Sequence, residues 1–147
     1  MPRLVDKVQS RNNNTLHNKL HLLTVARFHW IKGYKYILEA LNQLKKRGIL
    51  FNYTICGSND LNIGNEEQYL NYLISLYELN DVVELLGFVD QTELAKQYNK
   101  TDIYICGSLN EGLNTSIIKA LQFNKIVVAP NVGAIPEYIS DKINGLL

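Results

Sequence analysis

Two short segments of this 147-residue chain carry side chains of the right type and spacing to hold an anion. The first is Ala26-Arg27-Phe28-His29-Trp30-Ile31-Lys32-Gly33, where two cations follow an apolar run and lead into a helical pattern. Arginine offers a planar fork of donors and lysine a compact charge, so the pair suits a diphosphate. A solvated loop would carry the same residues, and spacing alone does not separate the two. The second segment is Asn110-Glu111-Gly112-Leu113-Asn114-Thr115. Gly112 permits close approach of backbone to a ligand, and the first amides of the helix that follows make an anion site. Glu111 can accept from ligand hydroxyls or merely complement the helix dipole. If both segments share one edge of a sheet, they suit an anionic, hydroxyl-rich ligand such as a nucleotide diphosphate sugar. His29 reads as an exposed loop histidine and Trp30 as packing. Glu137 reads as a cap or ion-pair partner.

The elements that must position these segments follow from the apolar pattern. Strand-length runs occur at Leu20–Ala26, Phe51–Cys56, Val82–Leu86, Asp102–Cys106 and Ile126–Ala129. Between them lie helical stripes. Ile37, Leu38, Leu41 and Leu44 share one face of a helix over Tyr34–Arg47, stopped by Gly48. Leu70, Leu73, Ile74 and Tyr77 repeat the theme over Glu66–Leu79. Asp90 and Glu93 form a capping box ahead of Leu94, Ala95 and Tyr98, and Asn114 caps a helix with Ile117, Ile118 and Leu121 inward. The helical tyrosines Tyr34, Tyr36, Tyr69, Tyr72 and Tyr77 read as core or half-buried faces. Alternation of near-continuous apolar strands with helices predicts a mostly parallel sheet covered on both sides, with ligands at the carboxyl ends of the strands. Ile55-Cys56-Gly57-Ser58 echoes Ile105-Cys106-Gly107-Ser108, which we read as similar strand-to-loop chemistry and not a repeat.

Composition narrows the function class. At 46% hydrophobic residues and a formal net charge of +1, the chain supports one domain with a core and shows no basic face for nucleic acid. Lys45, Lys46 and Arg47 read as a solvated helix end. Residues 1–19, with the run Asn12-Asn13-Asn14, read as a linker or lead-in before a domain over 20–147. The N-terminus lacks a secretory pattern and no run is long enough to span a bilayer, so a cytoplasmic location is expected. Cys56 and Cys106 read as apolar fillers. No metal-ligand cluster, GxGxxG after a strand, or P-loop is present.

From Leu20 onward the chain resembles the C-terminal domain of the retaining glycosyltransferases of GT-B fold, family 4. The resemblance rests on Leu23-Thr24-Val25-Ala26-Arg27 through Lys32-Gly33, on Asp102 to Ser108 followed by Glu111-Gly112-Leu113, and on a closing signature. That signature comprises Val127 to Gly133, Ile135-Pro136-Glu137 and Asn144-Gly145-Leu146-Leu147. The resemblance implies a Rossmann-like three-layer α/β/α domain with a mostly parallel sheet, one half of a GT-B fold. It implies transfer of a hexose from a UDP- or GDP-linked donor to a glycan or lipid-linked acceptor. Metal and cofactor are not required. Arg27, Lys32 and Glu111 would be catalytic: the cations would hold the phosphates and stabilise the leaving nucleotide, and Glu111 would contact the transferred sugar. Gly57, Gly112 and the amides near Leu113, Asn114 and Thr115 would line the donor, with Gly87 and Phe88 beside the base.

One position departs from the family pattern. The second acid of its glutamate pair falls at position 119, which is Lys119 here. Lysine has donors and no acceptor, so it cannot take up ribose hydroxyls as a carboxylate does, at a cost of about 1–3 kcal/mol. Lys119 either reaches a phosphate or marks a degenerate, non-catalytic nucleotide-sugar-binding domain; a GT-B-fold UDP-sugar epimerase fragment is a third reading. The resemblance further implies an N-terminal acceptor-binding domain as partner, truncation after Leu147, an isolated domain without transfer activity, and room for peripheral association of the full-length protein with the inner face of a membrane.

Overall fold

A computed structural model describes residues 19–59 and 64–147. The lead-in expected over 1–19 therefore falls, apart from Lys19, outside the described residues. Five strands form one sheet: β1 (Leu20–Val25), β2 (Phe51–Cys56), β3 (Val83–Gly87), β4 (Ile103–Ile105) and β5 (Ile126–Val128). Their order is β3-β2-β1-β4-β5, with every pairing parallel. The connecting helices are α1 (Tyr34–Lys46), α2 (Glu66–Leu76), α3 (Gln91–Lys100) and α4 (Thr115–Gln122), followed by a short α5 (Ile135–Tyr138). The chain runs outward from β1 to β3 and then returns across β1 to β4, so the strand order switches beside β1.

Alternation of side chains along the strands builds two cores. Leu22, Tyr53 and Ile55 pack with α1 and α2 through Ile37, Leu38, Leu41, Leu70 and Leu73. Leu23, Cys56, Tyr104 and Val127 point the other way and pack with Leu94, Tyr98, Ile117 and Ala120 of α3 and α4. This is the three-layer α/β/α arrangement expected. Both cysteines are buried and free. Burial pushes the Cys56 thiol up to about 11, which fits its role as a small apolar filler.

Several local expectations change. Helix α2 stops at Leu76 instead of Leu79 because Glu78 adopts a left-handed conformation (φ 54°). This turn places Leu79 in the first core. Asp90 caps α3 by accepting from the Glu93 amide (2.8 Å), but Glu93 does not reach back as a capping box requires. Its carboxylate turns forward to Gln97 Nε2 (2.7 Å) and Lys96 Nζ (3.3 Å). Tyr34 is buried and Tyr77 half-buried, whereas Tyr36, Tyr69 and Tyr72 are exposed. Their positions on α1 and α2 lie off the stripes that Ile37, Leu41, Leu70 and Leu73 bury.

Glycines draw the loops at the carboxyl rim together. Gly33, in the left-handed region (φ 66°), closes the loop after β1, and a Cβ there would lie 1.9 Å from the Gly107 carbonyl oxygen. Gly133 (φ 53°) abuts the loop after β4, where a Cβ would lie 1.7 Å from the Glu111 carbonyl oxygen. No side chain fits at either point. Gly33→Ala or Gly133→Ala should each destabilise the domain by about 2 kcal/mol or more, through both clash and backbone strain. Gly112, whose Cβ would meet nothing within 4 Å, should tolerate alanine to within about 0.5 kcal/mol. Urea denaturation of the three variants checks the contrast.

Candidate functional site

The loop after β1 is built from residues that pull in opposite directions. Phe28 is fully buried and meets the Tyr34 ring edge-on, at 6.2 Å between centroids. Its amide also donates to the Ser58 carbonyl (2.8 Å). With Phe28 inward, the chain turns through a 3-10 helix, Trp30–Lys32. His29 caps that turn, its Nδ1 accepting from the Ile31 amide at 3.1 Å. His29 is thus a half-buried structural cap and not the freely exposed loop histidine expected. Trp30 is 60% exposed, so the expectation that it packs is corrected: Phe28 and Tyr34 already fill the space beneath the loop.

The loop after β4 is stitched to this one. The Leu109 amide donates to the Ile31 carbonyl (2.8 Å), and Gly107 sits against Gly33. The consequence is that Lys32 meets Glu111, with Nζ lying 2.9 Å from Oε2 and 3.1 Å from Oε1. Both side chains are largely withdrawn from water, at 17% and 10% exposure, so salt screens this pair less than a surface bridge. Arg27, Lys32, Glu111 and Gly112 line one open cleft of about 290 Å³, with His29, Ile31 and Asn110 completing it. The cleft therefore joins two cations, one carboxylate and backbone next to a helix start.

The other residues selected from the sequence stand as follows. Asn114 caps α4, its Oδ1 accepting from the Ile117 amide at 3.0 Å while Nδ2 points to the Cys106 sulfur at 3.8 Å. Its own amide already donates to Tyr138 Oη (3.2 Å), so of the three amides expected to greet an anion, this one is engaged. Burial raises the Tyr138 phenol above its ordinary range, which keeps it a hydroxyl. Leu113 is 70% exposed, and Thr115 opens α4 exposed to solvent. Gly57 is explained by packing, since a Cβ there would lie 1.9 Å from the Ala26 carbonyl oxygen. Phe88 follows β3 at 84% exposure. Lys119 Nζ donates to Gln91 Oε1 (2.8 Å) at the start of α3 and is not among the residues lining the cleft.

Sequence reasoning missed the positioning roles of His29, Gly133 and Tyr138. Only Gly133 left a usable signal, a glycine between two helical or strand patterns. The echo of Gly57 and Gly107 now has a cause. Both end strands that flank β1, and both let a loop nest against the loop after β1.

Comparison with known proteins identifies the family and the fold. The family model for glycosyl transferases group 1 matches residues 6–147. AmsK of Erwinia amylovora, an amylovoran biosynthesis glycosyltransferase, is 32% identical over 97% of this chain, which spans 35% of that protein. Among solved structures, the C-terminal domain of LpcC, a glycosyl transferase group 1 family protein from Francisella tularensis, superposes with a TM-score of 0.71 at 26% identity. That match covers 88% of this chain and 66% of the other. HepE from Anabaena in complex with UDP-glucose shares the fold, with a TM-score of 0.79 at 21% identity over 97% of this chain and 37% of HepE. The chain spans about a third of its full-length relative AmsK. No described helix is long and apolar enough to cross a membrane. The chain belongs to the glycosyl transferases group 1 family, family 4, and corresponds to the C-terminal half of its GT-B-fold members.

Proposed function

We propose that the cleft lined by Arg27, Lys32 and Glu111 binds the nucleotide diphosphate sugar from which a retaining transferase moves a hexose to a glycan or lipid-linked acceptor. The observation that carries this reading is the pairing of Lys32 with Glu111 across two loops, beside Arg27. An ammonium has three donors, and Glu111 takes two of its bonds in this structure, so Lys32 can keep the carboxylate and still reach a phosphate oxygen. Such a lysine would stand where pyrophosphate meets sugar, with phosphate on one side and hydroxyl-accepting carboxylate on the other. Arg27, exposed at the mouth, would add a planar fork for the second phosphate. Together the two cations would stabilise charge developing on the departing nucleotide diphosphate, an effect strongest where water is partly excluded. Gly112, with open space above its Cα, would let the sugar lie against backbone. HepE was solved with UDP-glucose, which favours a UDP-linked hexose here.

In this reading the acceptor-binding half belongs to another domain, and the chain by itself binds donor without transferring sugar. Calorimetric titration with UDP-glucose and GDP-mannose tests the binding. Lys32→Met and Arg27→Ala should each weaken the preferred donor by roughly tenfold or more. Glu111→Gln should weaken the sugar nucleotide more than free UDP. Equal affinities of wild type and Lys32→Met would remove the proposal.

Lys119 bears on how tightly the donor is held. Its bond to Gln91 keeps a donor-rich side chain where the family places a carboxylate, which supports a weak-binding reading. Lys119→Glu should therefore raise donor affinity by roughly tenfold. A loss of affinity in the same titration would instead show that Lys119 reaches the ligand.

A further inference from the structure

A second concavity, of about 150 Å³, shares His29 with the donor cleft. Its lining includes Trp30, Tyr36 and Tyr69 together with Lys35 and Glu66. Three large aromatic side chains thus stay substantially in water while facing one hollow: Trp30 is 60% exposed, Tyr36 56% and Tyr69 43%. They come from three different places, the loop after β1, the first turn of α1 and the first turn of α2. Scattered exposed aromatics need no explanation, but convergent ones mark a binding surface. Two of the rings also have aromatic neighbours. Trp30 lies 5.6 Å from the ring of the capping His29, and Tyr69 stacks on Tyr72 at 6.4 Å with 22° between planes.

The lining specifies the ligand class. A pyranose ring offers C–H bonds on its faces and hydroxyls around its edge. Aromatic faces receive the former through desolvation and dispersion, and a carboxylate with an ammonium satisfies the latter as acceptor and donor. An alkyl chain would call for an aliphatic lining, and a protein partner for a broader apolar patch than a hollow of this size with two charges in it. We propose that this aromatic hollow binds a saccharide ring, and that it is an accessory subsite, on the shoulder of the donor cleft, for a non-reacting part of the acceptor glycan whose reacting end the other domain holds. Its assignment to the acceptor rests on the donor reading given above; saccharide binding by itself does not.

Trp30 is the single tryptophan of the chain, so intrinsic emission reports on this hollow directly. Cellobiose, lactose, maltose and gentiobiose would be titrated while tryptophan emission and amide NMR shifts are followed, with UDP binding measured separately by calorimetry. A saturable response to at least one disaccharide is expected. Trp30→Ala and Tyr69→Ala should each weaken it roughly tenfold or more, and Trp30→Phe should stay within about threefold. UDP affinity should change by less than about twofold in the same variants. No saturable response to any disaccharide while UDP still binds would overturn the subsite and leave the donor reading standing. Loss of UDP affinity in Trp30→Ala with disaccharide binding intact would also overturn it, by placing Trp30 in the donor cleft. Concentration-dependent emission changes without sugar would assign the hollow to a protein contact and equally refute the proposal. If neither UDP nor any disaccharide binds, both readings fall together.

Discussion

The arrangement of this domain hangs on one backbone contact: the loop after β1 and the loop after β4 touch where Gly33 faces Gly107. Any side chain at Gly33 would collide with a carbonyl, so the two loops approach only because the contact is bare backbone. The Leu109 amide then closes on the Ile31 carbonyl, and Lys32 and Glu111 are left facing each other at 2.9 Å. A third loop, carrying Gly133, presses on the Glu111 carbonyl from the other side and donates the Ala134 amide to it (3.1 Å). Glu111 is thus positioned through its backbone, which leaves its carboxylate to meet Lys32.

A largely buried lysine–glutamate pair contributes little net stability, because desolvating two charges offsets most of their attraction. Its value lies in placement. The ammonium is fixed within reach of whatever anion enters the cleft, and the carboxylate is oriented without a ligand. The same logic covers Asn114, whose side chain is held between the Ile117 amide and the Cys106 sulfur. Preorganised groups of this kind act without reorganising when charge appears beside them.

Much of this was legible in the sequence, for physical reasons that differ by element. The strands and the buried stripes of α1 and α2 could be read because burial on both faces of a parallel sheet leaves a continuous apolar signal. Arg27, Lys32 and Glu111 could be picked out because charged side chains at the ends of such runs fall on one rim. The joining of Lys32 to Glu111 was not legible, since it depends on a glycine-to-glycine contact between residues far apart in the chain. Trp30 was misjudged because an aromatic residue in a loop reads as core until a neighbour, here Phe28, is seen to occupy that space. The Glu93 capping box failed for a similar reason, the nearby Gln97 offering a competing donor.

The central claim is that two loops and one helix start form a single anion-binding cleft, and amide NMR during titration with UDP tests it most directly. The amides of Lys32 and Gly33 in one loop and of Gly112, Leu113 and Thr115 in the other are expected to shift together along one saturation curve. Shifts confined to one of these loops, or appearing at a different edge of the sheet, would contradict it.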